Sequence, residues 1–167
     1  MYKPDIPANY FLKKSIDSDK SVTAIKLELM IYFAHAWHLA ILGTSLINEA
    51  VLAWRHGPVI ESIHLRYNKR GVNLFANLDA GTSNKLKKSD KYFLDQIWTH
   101  YCRMSEQEMI SQCHKPNTPW ESTYKKSSSK IVIDNLLIKK YYRRLIATDP
   151  NFADLEDDSI TEYSDVG

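Results

Sequence analysis

The sequence holds only two cysteines, Cys102 and Cys113, in 167 residues. That excludes a disulfide framework and points to a reducing compartment, the cytoplasm. Five glycines leave few places where backbone can close around a phosphate. The signatures that carry catalysis or nucleotide binding are missing: no Gly-rich phosphate loop, no Gly-x-Ser-x-Gly elbow, no His-Glu-x-x-His and no Cys-x-x-Cys. The expectation is therefore a protein without enzymatic activity, cofactor or metal. A membrane-length apolar run is also missing. The most apolar stretch, 27–42, is interrupted by Glu28, His35 and His38 and stops at Gly43, so it reads as a buried core helix. The first residues lead into a segment broken by Lys13 and Lys14, with no apolar region of the signal-peptide kind.

What is present is an ordinary apolar fraction, many aromatics and an uneven charge. All 22 basic residues lie in 1–148 with 13 of the 20 acidic ones, so that body is formally +9 and residues 149–167 are −7. The expected organisation is one helical domain over 1–148 and an acidic, disordered tail over 149–167. A basic body also raises nucleic acid as a partner.

Apolar spacing predicts a mostly α, compact, single-domain bundle around a central apolar helix, with at most a small two-stranded β element. A first helix is predicted over 7–16. The second runs from Ser21 or Thr23 to Leu42, and apolar residues on two faces place it at the centre. Residues 50–54 and 130–133 are β-like and can pair. His56-Gly57-Pro58 reads as a turn, with Pro58 at the favoured first position of a third helix that Gly71 stops. Residues 72–88 read as a long loop. A fourth helix begins at Ser89. Ser105 and Glu108 form a capping box for a fifth, ended by Pro116 and Pro119. Asp134 caps the last helix, which reaches Thr148. Phe33, Trp37, Ile41, Ile63 and Ile97 are the expected core.

Three groups of residues invite a functional reading. His35 and His38, one helical turn apart, could share a metal with His100, Cys113 or His114, but no third ligand has diagnostic spacing, so packed histidines are the better reading. Lys139, Lys140, Arg143 and Arg144 could bind phosphates, although no helix-turn-helix or base-stacking pattern accompanies them. A solvated helix end complementing a macrodipole is favoured. Trp54, Tyr67 and Trp120 flank turns, where aromatics can anchor an interface or simply plug the ends of a helical core.

The segment Leu27 to Ala40, the turn Trp54-Arg55-His56-Gly57-Pro58-Val59, and His114-Lys115-Pro116-Asn117-Thr118-Pro119-Trp120, followed by a helix bearing Tyr141-Tyr142, occur in that order. This combination resembles the Panacea domain, found in phage-associated proteins and in antitoxins of bacterial toxin–antitoxin pairs. The likeness extends from about Asn9 to Tyr142. It implies an antitoxin that neutralises a cognate toxin protein by direct binding, or alternatively an adaptor that delivers the toxin to a protease, or a nucleic-acid-binding protein using the basic body. Trp54, His56, Gly57, Pro58, Tyr67 and Trp120 are the candidate partner-binding residues. His56 stands where the family usually has an aromatic, and Cys113 where a hydroxyl residue is common; both positions can tune the choice of partner.

Overall fold

The computed structural model describes residues 1–69, 73–76, 78–79, 81–126, 128 and 130–148. The acidic segment 149–167 and Gly71 lie outside the described residues.

The fold is organised by one helix that cannot face water. α2 (Ala24–Ile41) is buried at every residue from Lys26 to Ala40. Its first turn is secured by Thr23, whose hydroxyl accepts the Lys26 N–H at 3.1 Å. Gly43, at φ +76°, supplies the left-handed residue just beyond its end. Because α2 is apolar nearly all round, every side of it needs a neighbour. Those neighbours are α1 (Asp5–Asp17), α3 (Glu61–Tyr67), α4 (Lys88–Tyr101), α5 (Glu106–Cys113) and α7 (Asn135–Thr148). The short α6 (Pro119–Thr123) packs on α5 and α7, and a single 3-10 turn (Thr82–Lys85) packs on α1. No helix among the described residues is long and apolar enough to cross a membrane.

Aromatic side chains lock the layers. Phe33 stacks on Tyr101 with ring centroids 4.6 Å apart and planes 8° from parallel. Tyr142 of α7 meets Trp37 edge-on at 4.8 Å, and the Trp37 indole N–H donates to the Tyr101 hydroxyl at 2.8 Å. This contact joins three helices and satisfies a polar group in the deepest part of the core. Cys113 is a free, buried thiol, pushed up to about 12 by desolvation, so it is a packing residue.

A small antiparallel sheet closes one end. β1 (Leu52–Trp54) lies between β2 (Gly57–Val59) and β3 (Ile131–Val132). Leu52 pairs with Val59 on one side and with Val132 on the other.

The mostly helical architecture and the pairing of the two predicted β-like runs agree with the sequence reading, as do the Thr23 cap, the Ser105–Glu108 capping box and an Asp134 carboxylate that accepts the Leu136 N–H at 2.8 Å. Four details differ. The sheet has three strands where at most two were expected, because Pro58 lies in edge strand β2 and does not open a helix. In a two-residue hairpin the closing pair Trp54–Gly57 carries the hydrogen bonds and the next pair does not, so the missing N–H of Pro58 falls on the outer edge. Pro119 starts α6 instead of ending α5, which stops at Cys113. α3 ends at Tyr67 with Asn68 as its cap, before Gly71. Ile41, expected in the core, is only half-buried because it sits on the last turn of α2, whereas Phe33, Trp37, Ile63 and Ile97 are fully buried.

Candidate functional site

The two-residue loop Arg55-His56 projects from the β1–β2 hairpin, and both residues are exposed. Gly57 closes the loop at φ +144°, a conformation that side-chain-bearing residues rarely adopt. Two bonds from the opposite layer hold this hairpin. The Trp120 indole N–H donates to the Trp54 carbonyl at 2.7 Å, and His114 Nε2 donates to the His56 carbonyl at 3.1 Å.

His114 and Trp120 come together because the α5–α6 junction turns sharply. Asn117 takes a left-handed conformation, at φ +63°. The Thr118 hydroxyl donates to the Cys113 carbonyl at 2.6 Å and accepts the Glu121 N–H at 3.2 Å, which starts α6. The turn lays the His114 ring flat on Trp120, with centroids 4.1 Å apart, and Tyr124 stacks on Trp120 at 5.0 Å. The indole thus stacks with two rings and is buried, while His114 is exposed.

The far side of the hairpin hangs on Glu28 of α2. This carboxylate is 4% exposed. It accepts the Ile60 N–H at 3.1 Å and the Asn68 amide at 3.0 Å, and it faces His64 Nδ1 at 3.2 Å. Burial raises its pKa above the usual carboxylate value, opposed by these three partners. His64 in turn lies against the Trp54 ring, 4.8 Å away. The Trp54 indole N–H is buried and meets no acceptor among the described residues.

Of the six candidate residues, five share this end of the molecule: Trp54, His56, Gly57 and Pro58 in the hairpin, and Trp120 beneath it. Pro58 and Trp120 are buried and act as supports; His56 is the exposed one. Tyr67 does not join them. It is buried at the end of α3, with Arg66 5.5 Å from its ring, and lines a cleft of about 510 Å³ with Thr23, Ile25, Leu74 and Glu106. Sequence reasoning missed Glu28, His64 and Tyr124. Glu28 had a signal, a lone carboxylate in an apolar helix, but its partners lie more than thirty residues away.

His35 and His38 go to separate partners. His35 contacts Asn135 Oδ1 at 3.1 Å, and His38 Nδ1 donates to the Thr44 carbonyl at 2.6 Å. Among the described residues no three His, Cys, Asp or Glu are grouped to hold a metal. The basic residues of α7 divide similarly. Arg143 donates to the Ala40 carbonyl at 3.0 Å and Lys139 reaches the Gly43 carbonyl at 3.5 Å, so two of the four serve the C-terminus of α2. Lys140 and Arg144 are exposed.

The model of the family described as Antitoxin SocA-like, Panacea domain, matches residues 29–121. Those bounds run from inside α2 to α6, so they contain the hairpin, His114 and Trp120. A curated relative, the antitoxin SocA of Caulobacter vibrioides, is 23% identical over 124 residues, covering 68% of this chain and 66% of the relative. The chain therefore spans just under two thirds of that relative's length. No solved structure matches the chain.

Proposed function

The chain belongs to the antitoxin SocA-like, Panacea domain family, and from that premise we propose that it is an antitoxin acting by direct binding to a toxin protein. The observation that carries this reading is the hairpin end. It presents Arg55, His56 and His114 to solvent on a scaffold fixed from both sides, by Trp120 and His114 on one and by the Glu28 cluster on the other. Preorganised loops lose little entropy on association, which favours tight binding over an interface of ordinary size, roughly 1,600 Å² in total. Covering a toxin's working surface requires no reacting group, and among the described residues no three His, Cys, Asp or Glu are grouped to hold a metal. The toxin is the partner; His56 and the ring stack supply contacts, and Gly57, Pro58 and Trp54 hold them in place.

The test is co-expression with the adjacent reading frame of the source genome. That frame should arrest growth alone and permit it with this chain. A growth arrest that this chain leaves untouched would end the antitoxin reading. Toxin that persists intact in rescued cells supports occlusion, whereas toxin that disappears only when a protease is active supports delivery for degradation. His56→Ala should weaken rescue without moving the thermal midpoint.

A further inference from the structure

The hairpin end carries an excess of exposed cations. Arg55, Lys115, Lys125 and Lys126 are exposed, and none forms an ion pair with another described residue. The fold brings them together from three loops. Arg55 is on the β1–β2 turn. Lys115 follows His114, which is bonded to that turn at 3.1 Å. Lys125 follows Tyr124, stacked on Trp120, and pairs with Ser128 so that Lys126 sits on a tight turn just before β3. The carboxylates nearby are already engaged. Glu61 takes Lys130 at 2.6 Å, Glu121 accepts the Asn117 N–H at 3.1 Å, and Asp134 caps α7.

Unpaired like charges held within one patch repel one another and gain from an opposite surface. We infer that this face recognises an acidic protein surface, so that the partner presents carboxylates to Arg55, Lys115, Lys125 and Lys126. The inference rests on the antitoxin reading for the partner's identity, and it adds the partner's chemistry. A protein surface is favoured over nucleic acid because the largest ring of the stack, the Trp120 indole, is buried. Trp120 stacks with His114 and Tyr124 and, being buried, offers no ring face to a base.

The experiment compares three full-length chains. One carries Arg55→Glu, Lys125→Glu and Lys126→Glu. A control carries the same charge change on exposed cations elsewhere, Lys13→Glu, Lys140→Glu and Arg144→Glu. The third is the unaltered chain. The probes are a polyglutamate peptide and a random-sequence DNA duplex, each at low and high salt, and rescue from the adjacent-frame toxin is scored in parallel. The hairpin-end variant should lose about tenfold or more in peptide affinity at low salt, while the control keeps most of it. It should also lose rescue with its helicity and thermal midpoint unchanged. Equal losses in the two variants would reduce the effect to net charge and overturn the inference, as would intact rescue by the hairpin-end variant. Duplex held more tightly than peptide through the same three side chains would replace it with a nucleic-acid face. Residue-dependent peptide binding with no toxin rescued by any chain would leave the acidic-partner inference standing and remove the antitoxin reading.

Discussion

A carboxylate buried to 4% exposure is destabilising unless its lone pairs are filled, and Glu28 fills them with groups from α3 and its two caps. Removing it should cost more than removing an apolar neighbour of similar size. Glu28→Ala leaves the Ile60 N–H and the Asn68 amide unpartnered, at ~1–3 kcal/mol each. Glu28→Gln retains one acceptor oxygen for Ile60, so urea denaturation should rank the native chain above Gln and Gln above Ala; equal losses would show that the bonds contribute nothing. Burial gives two residues opposite pH behaviour. The folded-state pKa of Glu28 lies above its ordinary 4.5, so its contribution is best below 4.5 and weakens as pH rises through the raised value. For His35 the main cause is again desolvation, which lowers the folded-state pKa below 6.5. The unfolded chain then binds the proton more readily, and stability present above pH 6.5 is lost as pH falls through the folded value. His35→Gln, which keeps a donor for Asn135, should therefore flatten the fall in thermal midpoint just below pH 6.5; an unchanged slope would remove His35 as its source. Glu28 was visible in the sequence only as an interruption of an apolar run. Its role depends on Ile60, His64 and Asn68, and nothing local announces them.

Among the elements, those whose causes are local were legible. Apolar residues on two faces give α2, Thr23 caps it, and Ser105 with Glu108 opens α5. Phe33→Ala should accordingly cost ~3–5 kcal/mol by calorimetry or denaturant titration, since its ring fills the space against Tyr101 in the centre of the bundle. The hairpin was less legible, because Pro58 is equally good at the first position of a helix and on a sheet edge, and only pairing with β1 decides between them. Gly57 is where that decision is enforced. A Cβ there would come no closer than 4.0 Å to His114, so space is available and the obstacle is φ alone. Gly57→Ala should then lower stability by ~1–3 kcal/mol and also weaken toxin neutralisation, because the strain is relieved only by re-aiming His56. A variant with native midpoint and native rescue would show that the hairpin tolerates a different tip.

At the scale of the whole molecule, the family match and the folding unit differ in extent. The match covers 29–121, yet two of the elements beyond it, α1 and α7, close the core. Phe11 of α1 stacks on Trp98 at 6.3 Å, and Tyr142 of α7 covers Trp37 and lies 6.5 Å from Phe33. Without α1 and α7, a helix buried along fifteen consecutive residues would face water on two sides. Fully burying one large apolar side chain is worth ~1.5–3 kcal/mol, and a whole domain is stable by only ~5–15 kcal/mol, so exposing several is enough to unfold it. A fragment limited to 29–121 should show no cooperative thermal transition by circular dichroism. A fragment ending at Thr148 should melt cooperatively within about 2 °C of the full chain, because the buried core among the described residues runs from Ile6 to Tyr142. Cooperative melting of the shorter piece would mean that α1 and α7 are accessory. A large drop for the longer one would give 149–167 a part in stability and end the division at 148.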